Sequence, residues 1–410
     1  MSKLNFRNFL PSITVDTPST AREYAKKRLL HERPQTLFQQ WKNLLADPFK
    51  GITVDGNPSA SLFNLQREGA PVREASNAAI ALLNVLPKNK IKKMQFPIDS
   101  KQWQNWQNTE LYVEKHGLRL DEQTTSVQKF VMALIRTCLS PKGYTKSRNV
   151  MKLNAFLGEL IEKQNVLNEW SYTFCLFGTP SPGTPWGWQL FGHHLCLNCF
   201  LLDGQMVLTP AFMGAEPAFG DEGKYAKITL FKDEELRGLE FMLSLDKKWR
   251  KRALIANSMV GGDLPHGRRH FADNLQLGGA YQDNRIVPFE GLKANNLGQA
   301  QQQHLLDLIN EYHSLLPDKP REKKMLAIEK QLDNTHFCWI GRTDEDSPFY
   351  YRIQSPVTFI EFDHHTGVFL TNDKPAKFHI HTIVRTPNGN DYGKDLLRQH
   401  YQTSPHHKKI

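Results

Sequence analysis

The stretch PWGWQLFGHHLCLNCFLL, Pro185 to Leu202, carries almost no charge and no helical spacing of its apolar residues. Its period of two reads as strand, with His194, Cys196 and Asn198 on one face and His193, Leu195 and Leu197 on the other. A second such stretch, FHIHTIVRTPNGNDYG, runs from Phe378 to Gly393 and places His379, His381 and Arg385 on one face. Around the first lie strand-like runs at 171–177, 186–201 and 205–212, with Asp203-Gly204 as a hairpin signal. Around the second lie 336–341, 349–354, 357–363, 367–370 and 378–385, followed by a short helix from about Lys394 to Tyr401.

Helical spacing fills the rest. Thr17 and Pro18 read as the N-cap and first turn of a helix to about 31, and further patterns run through Trp41 and cover 74–85, 125–138, 146–163, 232–257, 299–315 and 319–332. The stretch Gly261 to Gly291 has no periodicity, which marks a functional or mobile loop. Strands segregated from helices argue an α+β fold. The expectation is one integrated domain over 1–410: a helical part at about 17–165, packed on a mostly antiparallel sheet or pair of sheets from about 171–212 and 336–385. A helical insert at about 232–332 separates the two strand blocks, the second of which extends to about 401.

Composition narrows the function classes. The chain has 410 residues, 40% hydrophobic, and a formal charge of +10 from 52 basic and 42 acidic residues. Much of that surplus falls on helical faces interspersed with acids, so no nucleic-acid partner is expected, and only 247–252 would merit a test with phosphate. The N-terminal residues lack the apolar core of a signal peptide and no run approaches membrane-spanning length, so a cytoplasmic protein without a membrane partner is expected. The five cysteines show no framework spacing. Cys196 and Cys199 form C-x-x-C, but at i and i+3 of a strand they point to opposite faces.

Nucleotide-binding, P-loop, α/β-hydrolase and zincin motifs are absent. What remains is histidine. Two imidazoles at i and i+2 of a strand, His379 and His381, point the same way and can reach one ion, and His193 or His194 offers a third. Glu361 and Asp363, on the strand before, would lie near them in an antiparallel pair and complete a mixed site as ligands or general base. Arg385 extends the histidine face, either as a bidentate contact to an anionic substrate group or as half of an ion pair with Glu361 or Asp363. Trp186 and Trp188 would wall an apolar ligand or pack in the core. Glu216, Asn388 and Asn390 are the remaining candidates for substrate contact.

PWGWQLFGHHLCLN with LTPAFMGAEP, FYYRIQSPVTFIEFDHH and HIHTIVRTPNGNDYGKDLLRQHY together resemble the domain-of-unknown-function family number 3500. The similarity extends to LSPKGYTKSRNVMKLNAFLGEL and so along most of the chain. It implies that His193, His194, His379, His381, Asn388, Asn390 and Asp391 fall in signature motifs. The chain departs from that pattern at Cys196 and His365, which weakens both as ligands, whereas His364 matches it. The resemblance implies no activity. The residues themselves point to a divalent transition metal (Fe, Cu or Zn) and an enzyme acting on a small or medium organic substrate. Redox and oxygen chemistry comes first, ahead of metal-dependent hydrolysis and of a binding protein whose histidines only brace the sheet.

Overall fold

The computed structural model describes residues 5–12 and 20–404. The expected helix start at Thr17 and Pro18 lies outside them; the first described α-helix is Ala21–Arg28, capped by a reciprocal Thr20 and Glu23 pair. The fold is α+β: eleven α-helices among the described residues accompany one thirteen-stranded, mostly antiparallel sheet.

The two strand blocks join into a single sheet. Across it run Tyr172–Gly178, Trp186–Gly192, Leu195–Leu202, Ala211–Ala215, Ala376–Arg385, Phe359–His365, Phe349–Gln354 and His336–Gly341. The seam is the short strand Ala211–Ala215, which pairs with Leu195–Leu197 on one side and with Ile380–Val384 on the other. Gln95–Phe96 and Leu254–Ala256 add parallel edges, which the sequence did not signal because each is only two or three residues long.

Four expectations are corrected, the first being the run 205–212, which is two strands, Gln205–Val207 and Ala211–Ala215, parted at Leu208 to Pro210. The run 186–201 is a hairpin, not one strand: Gly192 pairs with Leu195 and the chain reverses at His193 and His194, the latter at φ +64°. A sixteen-residue strand would exceed the usual length, and histidine is among the residues that tolerate the left-handed region. The helix expected at 232–257 is Lys232–Ser244, then Lys247–Ala253, then the strand Leu254–Ala256. Residues 367–370 form no strand, because the amides of Val368, Phe369 and Leu370 all point at the Glu216 carboxylate.

Both faces of the sheet are covered, so the strands are buried almost throughout. One face carries Trp186, Trp188, Leu195, Leu197, Met213, Ile380 and Phe362, packed with Val131, Ile135, Leu153 and Phe156 of the helices Thr125–Cys138 and Pro141–Leu160. The opposite face carries Phe191, Cys196, Phe212 and Ile383 under Trp41, Trp103, Trp106, Tyr281 and Tyr392. Cys196 and Cys199 fall in different cores, as the alternation requires. Among the described residues no helix is long and apolar enough to cross a membrane.

The aperiodic loop is ordered by buried charge. Glu361 accepts from the amides of Leu277 (2.9 Å) and Gly278 (2.8 Å), and Arg385 donates to the carbonyls of Gly278 (2.6 Å) and Gly279 (2.7 Å). These charge-assisted bonds replace the water that the loop backbone and the two ions give up.

Candidate metal centre

Three histidines converge where the two blocks meet. Nε2 of His379 lies 3.0 Å from Nε2 of His381 and 3.3 Å from Nε2 of His194, and the ligand atoms of all three fall within 4.8 Å of one another. His379 and His381 arrive together because they are i and i+2 on one strand. His194 arrives because its own carbonyl accepts the Gly214 amide at 2.7 Å, which draws the hairpin turn over the neighbouring strand. Gly214 in turn sits directly opposite His381 in the register.

The site is dry. All three histidines are at most 5% exposed. Burial drives every imidazole here toward its neutral form, with His379 pushed down to about 3 and His194 and His381 well below their ordinary value, each reinforced by neighbouring histidines in the latter two. Neutral imidazole is the metal-binding form. Without an ion the arrangement is frustrated, since a single hydrogen on His379 Nε2 serves only one of its two nitrogen contacts well. Bonds of ~2.0–2.1 Å set at a tetrahedral angle place nitrogens about 3.3 Å apart, which the separations of His379 from His381 and from His194 match, and a small closing of His194 toward His381 would complete the set.

Around the triad, Glu216 is fully enclosed, with Oε1 3.6 Å from His379 Nδ1. That is longer than a hydrogen bond, yet on the side where a carboxylate orients a ligating imidazole. Burial pushes the Glu216 carboxyl up to about 7 against its three amide donors. His365 walls the cluster, its ring 4.2 Å from that of His381 and 4.8 Å from that of His379. Its nitrogens face the carbonyls of Thr366 and Ala272, so neither is presented to an ion.

The other expected site residues are placed differently. His193 lays its ring against that of His194, 3.8 Å between centroids, and directs Nδ1 to Asn154 Oδ1 at 2.8 Å, so it stands beside the triad without joining the converged ligand atoms. Trp186 and Trp188 lie in the helix-side core and wall nothing near the triad. Glu361 is occupied by the two loop amides and by the Tyr350 hydroxyl at 2.6 Å. Asp363 does pair with His381 in the register, but its oxygens lie outside the converged ligand group, and burial pushes its carboxyl well above the usual range. His364 is bound to the Phe349 backbone and faces Glu235, away from the triad.

Arg385 is an ion pair, not a substrate contact: Nη1 reaches Asp283 (2.6 Å) and Asp391 (3.1 Å), and every donor group is engaged within the protein. The expected partners were Glu361 or Asp363; the register puts Arg385 opposite Phe359 instead, leaving its guanidinium to the loop. Asn388, at φ +57°, braces its turn by accepting from the Ser59 amide and donating to the Pro356 carbonyl. Asn390 accepts from the Leu396 amide and lines a cavity on the other side of the sheet. Gly214 is not among the residues the sequence singles out, and His365, set aside there as a ligand, is a wall of the cluster. A glycine inside an apolar strand is the signal for the first; nothing in the sequence marks the second beyond its type.

Fold and site thus define an α+β protein whose single sheet, covered on both faces, encloses a three-histidine cluster at the seam of two strand blocks. The chain belongs to the family described as Protein of unknown function (DUF3500), whose model matches residues 68–394 and so contains the whole triad. No curated protein and no solved structure matches the chain.

Proposed function

We propose that this protein is a metal-dependent enzyme in which His194, His379 and His381 hold one divalent transition metal, iron, copper or zinc, and act on a small or medium organic substrate. The meeting of His379 Nε2 with Nε2 of His381 at 3.0 Å and of His194 at 3.3 Å, all three ligand atoms within 4.8 Å, carries the reading. A set of three neutral imidazoles leaves at least one coordination position open, and a bound metal there would supply Lewis acidity or electron transfer. The chain's part is to keep the imidazoles neutral, orient His379 through Glu216 and exclude water.

Redox and oxygen chemistry is preferred over hydrolysis. Hydrolysis needs an ionised carboxylate free to take a proton from water, whereas Glu361 is tied to three donors, Glu216 to three amides, and Asp363, outside the ligand group, is driven toward its neutral acid by burial. Protein loaded in turn with Fe(II), Cu(II) and Zn(II) is to be assayed for oxygen consumption with a panel of phenols, amines and organic acids, and for ester and amide hydrolysis. Oxygen consumption abolished by His379→Ala supports the reading. Hydrolysis without oxygen consumption would select the hydrolase, and tight metal without either activity a binding protein.

A further inference from the structure

A second site lies on the opposite face of the sheet from the histidines. A cavity of about 400 Å³ opens between the segment 61–68, the strand Gln205–Val207, the helix Asp318–Glu329 and the residues Val384 to Asn390. Its volume is in the range of small-molecule sites. Leu62, Leu208, Leu316 and Val384 supply apolar wall, and Glu68, Gln205, Lys324 and Thr386 converge on it.

Lys324 and Glu68 are the informative pair. The Lys324 ammonium donates to the Val357 carbonyl at 2.8 Å and approaches Thr386 Oγ1 at 3.4 Å, which leaves one of its three donors. Glu68 accepts from the side-chain amides of Gln66 (3.2 Å) and Gln205 (3.1 Å) and from the Met206 backbone amide, none of which carries charge. Lys324 feels the charges of Asp391 and then Glu68, and Glu68 that of Lys324, but neither Lys324 nor Glu68 makes an ion pair within 4.0 Å among the described residues. Burial lowers the Lys324 amine to about 8 and raises the Glu68 carboxyl, the behaviour of two partly desolvated charges that lack a direct counterion.

We propose that this cavity binds a free α-amino acid with an apolar side chain, its carboxylate on Lys324, its ammonium at Glu68 and its side chain against the leucines and Val384. A zwitterion supplies both missing counterions at once without adding net charge. A simple anion would leave Glu68 unpaired, and a simple cation would leave Lys324 unpaired. The site shares no lining residue with the triad, so it stands independently of the metal reading.

Isothermal titration of the full chain with each of the standard L-amino acids, and then of the best ligand against its carboxamide and its deaminated acid, tests this. Apolar members are expected to bind, with each analogue weaker by at least about tenfold, the worth of one charge-assisted contact. Lys324→Met is expected to erase the preference over the carboxamide, and Glu68→Gln the preference over the deaminated acid. The analogue comparison uses the unaltered protein, so it decides even if a variant fails to fold. Failure of every apolar amino acid to bind, or equal affinity for the deaminated acid, would overturn the proposal.

Discussion

Gly214 faces His381 across the strand pair so closely that a Cβ on Gly214 would stand 2.7 Å from His381 Cδ2 and 2.9 Å from Cδ2 of His194. The absence of one methyl group is what lets two of the three imidazoles occupy the same small volume. The backbone at Gly214 is not left-handed, so alanine is conformationally acceptable, and its Cβ would press on the two rings and, at 2.9 Å, on the Ile380 carbonyl. Gly214→Ala is expected to weaken metal binding by about 10–100-fold, the usual effect of disturbing ligand support. Competition with a chromogenic chelator measures it; unchanged affinity would show that the rings need no such clearance.

Arg385 is expected to matter for stability and not for the metal. Arg385→Met leaves Asp283 and Asp391 buried without their cation, a loss of about 3–5 kcal/mol. Denaturant unfolding gives the size of the loss. Metal content of the folded fraction should match the parent protein, and a stable variant with altered metal or ligand affinity would return Arg385 to the site.

Glu361 should behave as the anchor of the 272–285 loop. Glu361→Gln keeps one acceptor oxygen but loses the charge that receives the Leu277 and Gly278 amides and the Tyr350 hydroxyl, at a cost of about 1.5–3 kcal/mol. Hydrogen exchange should accelerate at Leu277 and Gly278 before it does in the strands. Unaltered exchange there would mean that the loop is held by other contacts.

The buried imidazoles give the metal-free protein a defined acid sensitivity. His379 is held down to about 3 by burial, below its ordinary 6.5, so the unfolded chain binds a proton between those values that the folded chain refuses. Stability from this group is therefore full above about 6.5 and is lost as pH falls toward 3, by about 1.4 kcal/mol per pH unit within the window. Melting of chelator-treated protein against pH should show this fall, and His379→Gln should flatten it. A slope identical in the variant would assign the acid sensitivity to other groups.

Much of the sheet and the pairing of two of the three clustered histidines are legible in the sequence, for a physical reason that also sets the limit. Alternation identifies which residues share a face, and so His379 and His381 pair on their spacing alone. It cannot show where a strand reverses when both faces are apolar, which is why the turn at His193 and His194 is hidden inside a continuous run. Nor does it show which buried ions find each other. Glu361, Arg385 and the histidines share one face, and only the path of the 272–285 loop decides that the first two hold backbone while the histidines keep free nitrogens. The lysine and glutamate of the second cavity come from segments about 250 residues apart, beyond any local pattern.

The central claim is that His194, His379 and His381 together bind one metal ion, and elemental analysis of protein purified without chelator or affinity-tag metal tests it most directly. The expected result is about one equivalent of iron, copper or zinc per chain, restored after stripping and reloading, and lost in His379→Ala and His381→Ala variants that still melt cooperatively. Folded wild-type protein that takes up no metal on reloading, or folded variants that retain the full equivalent, would contradict it.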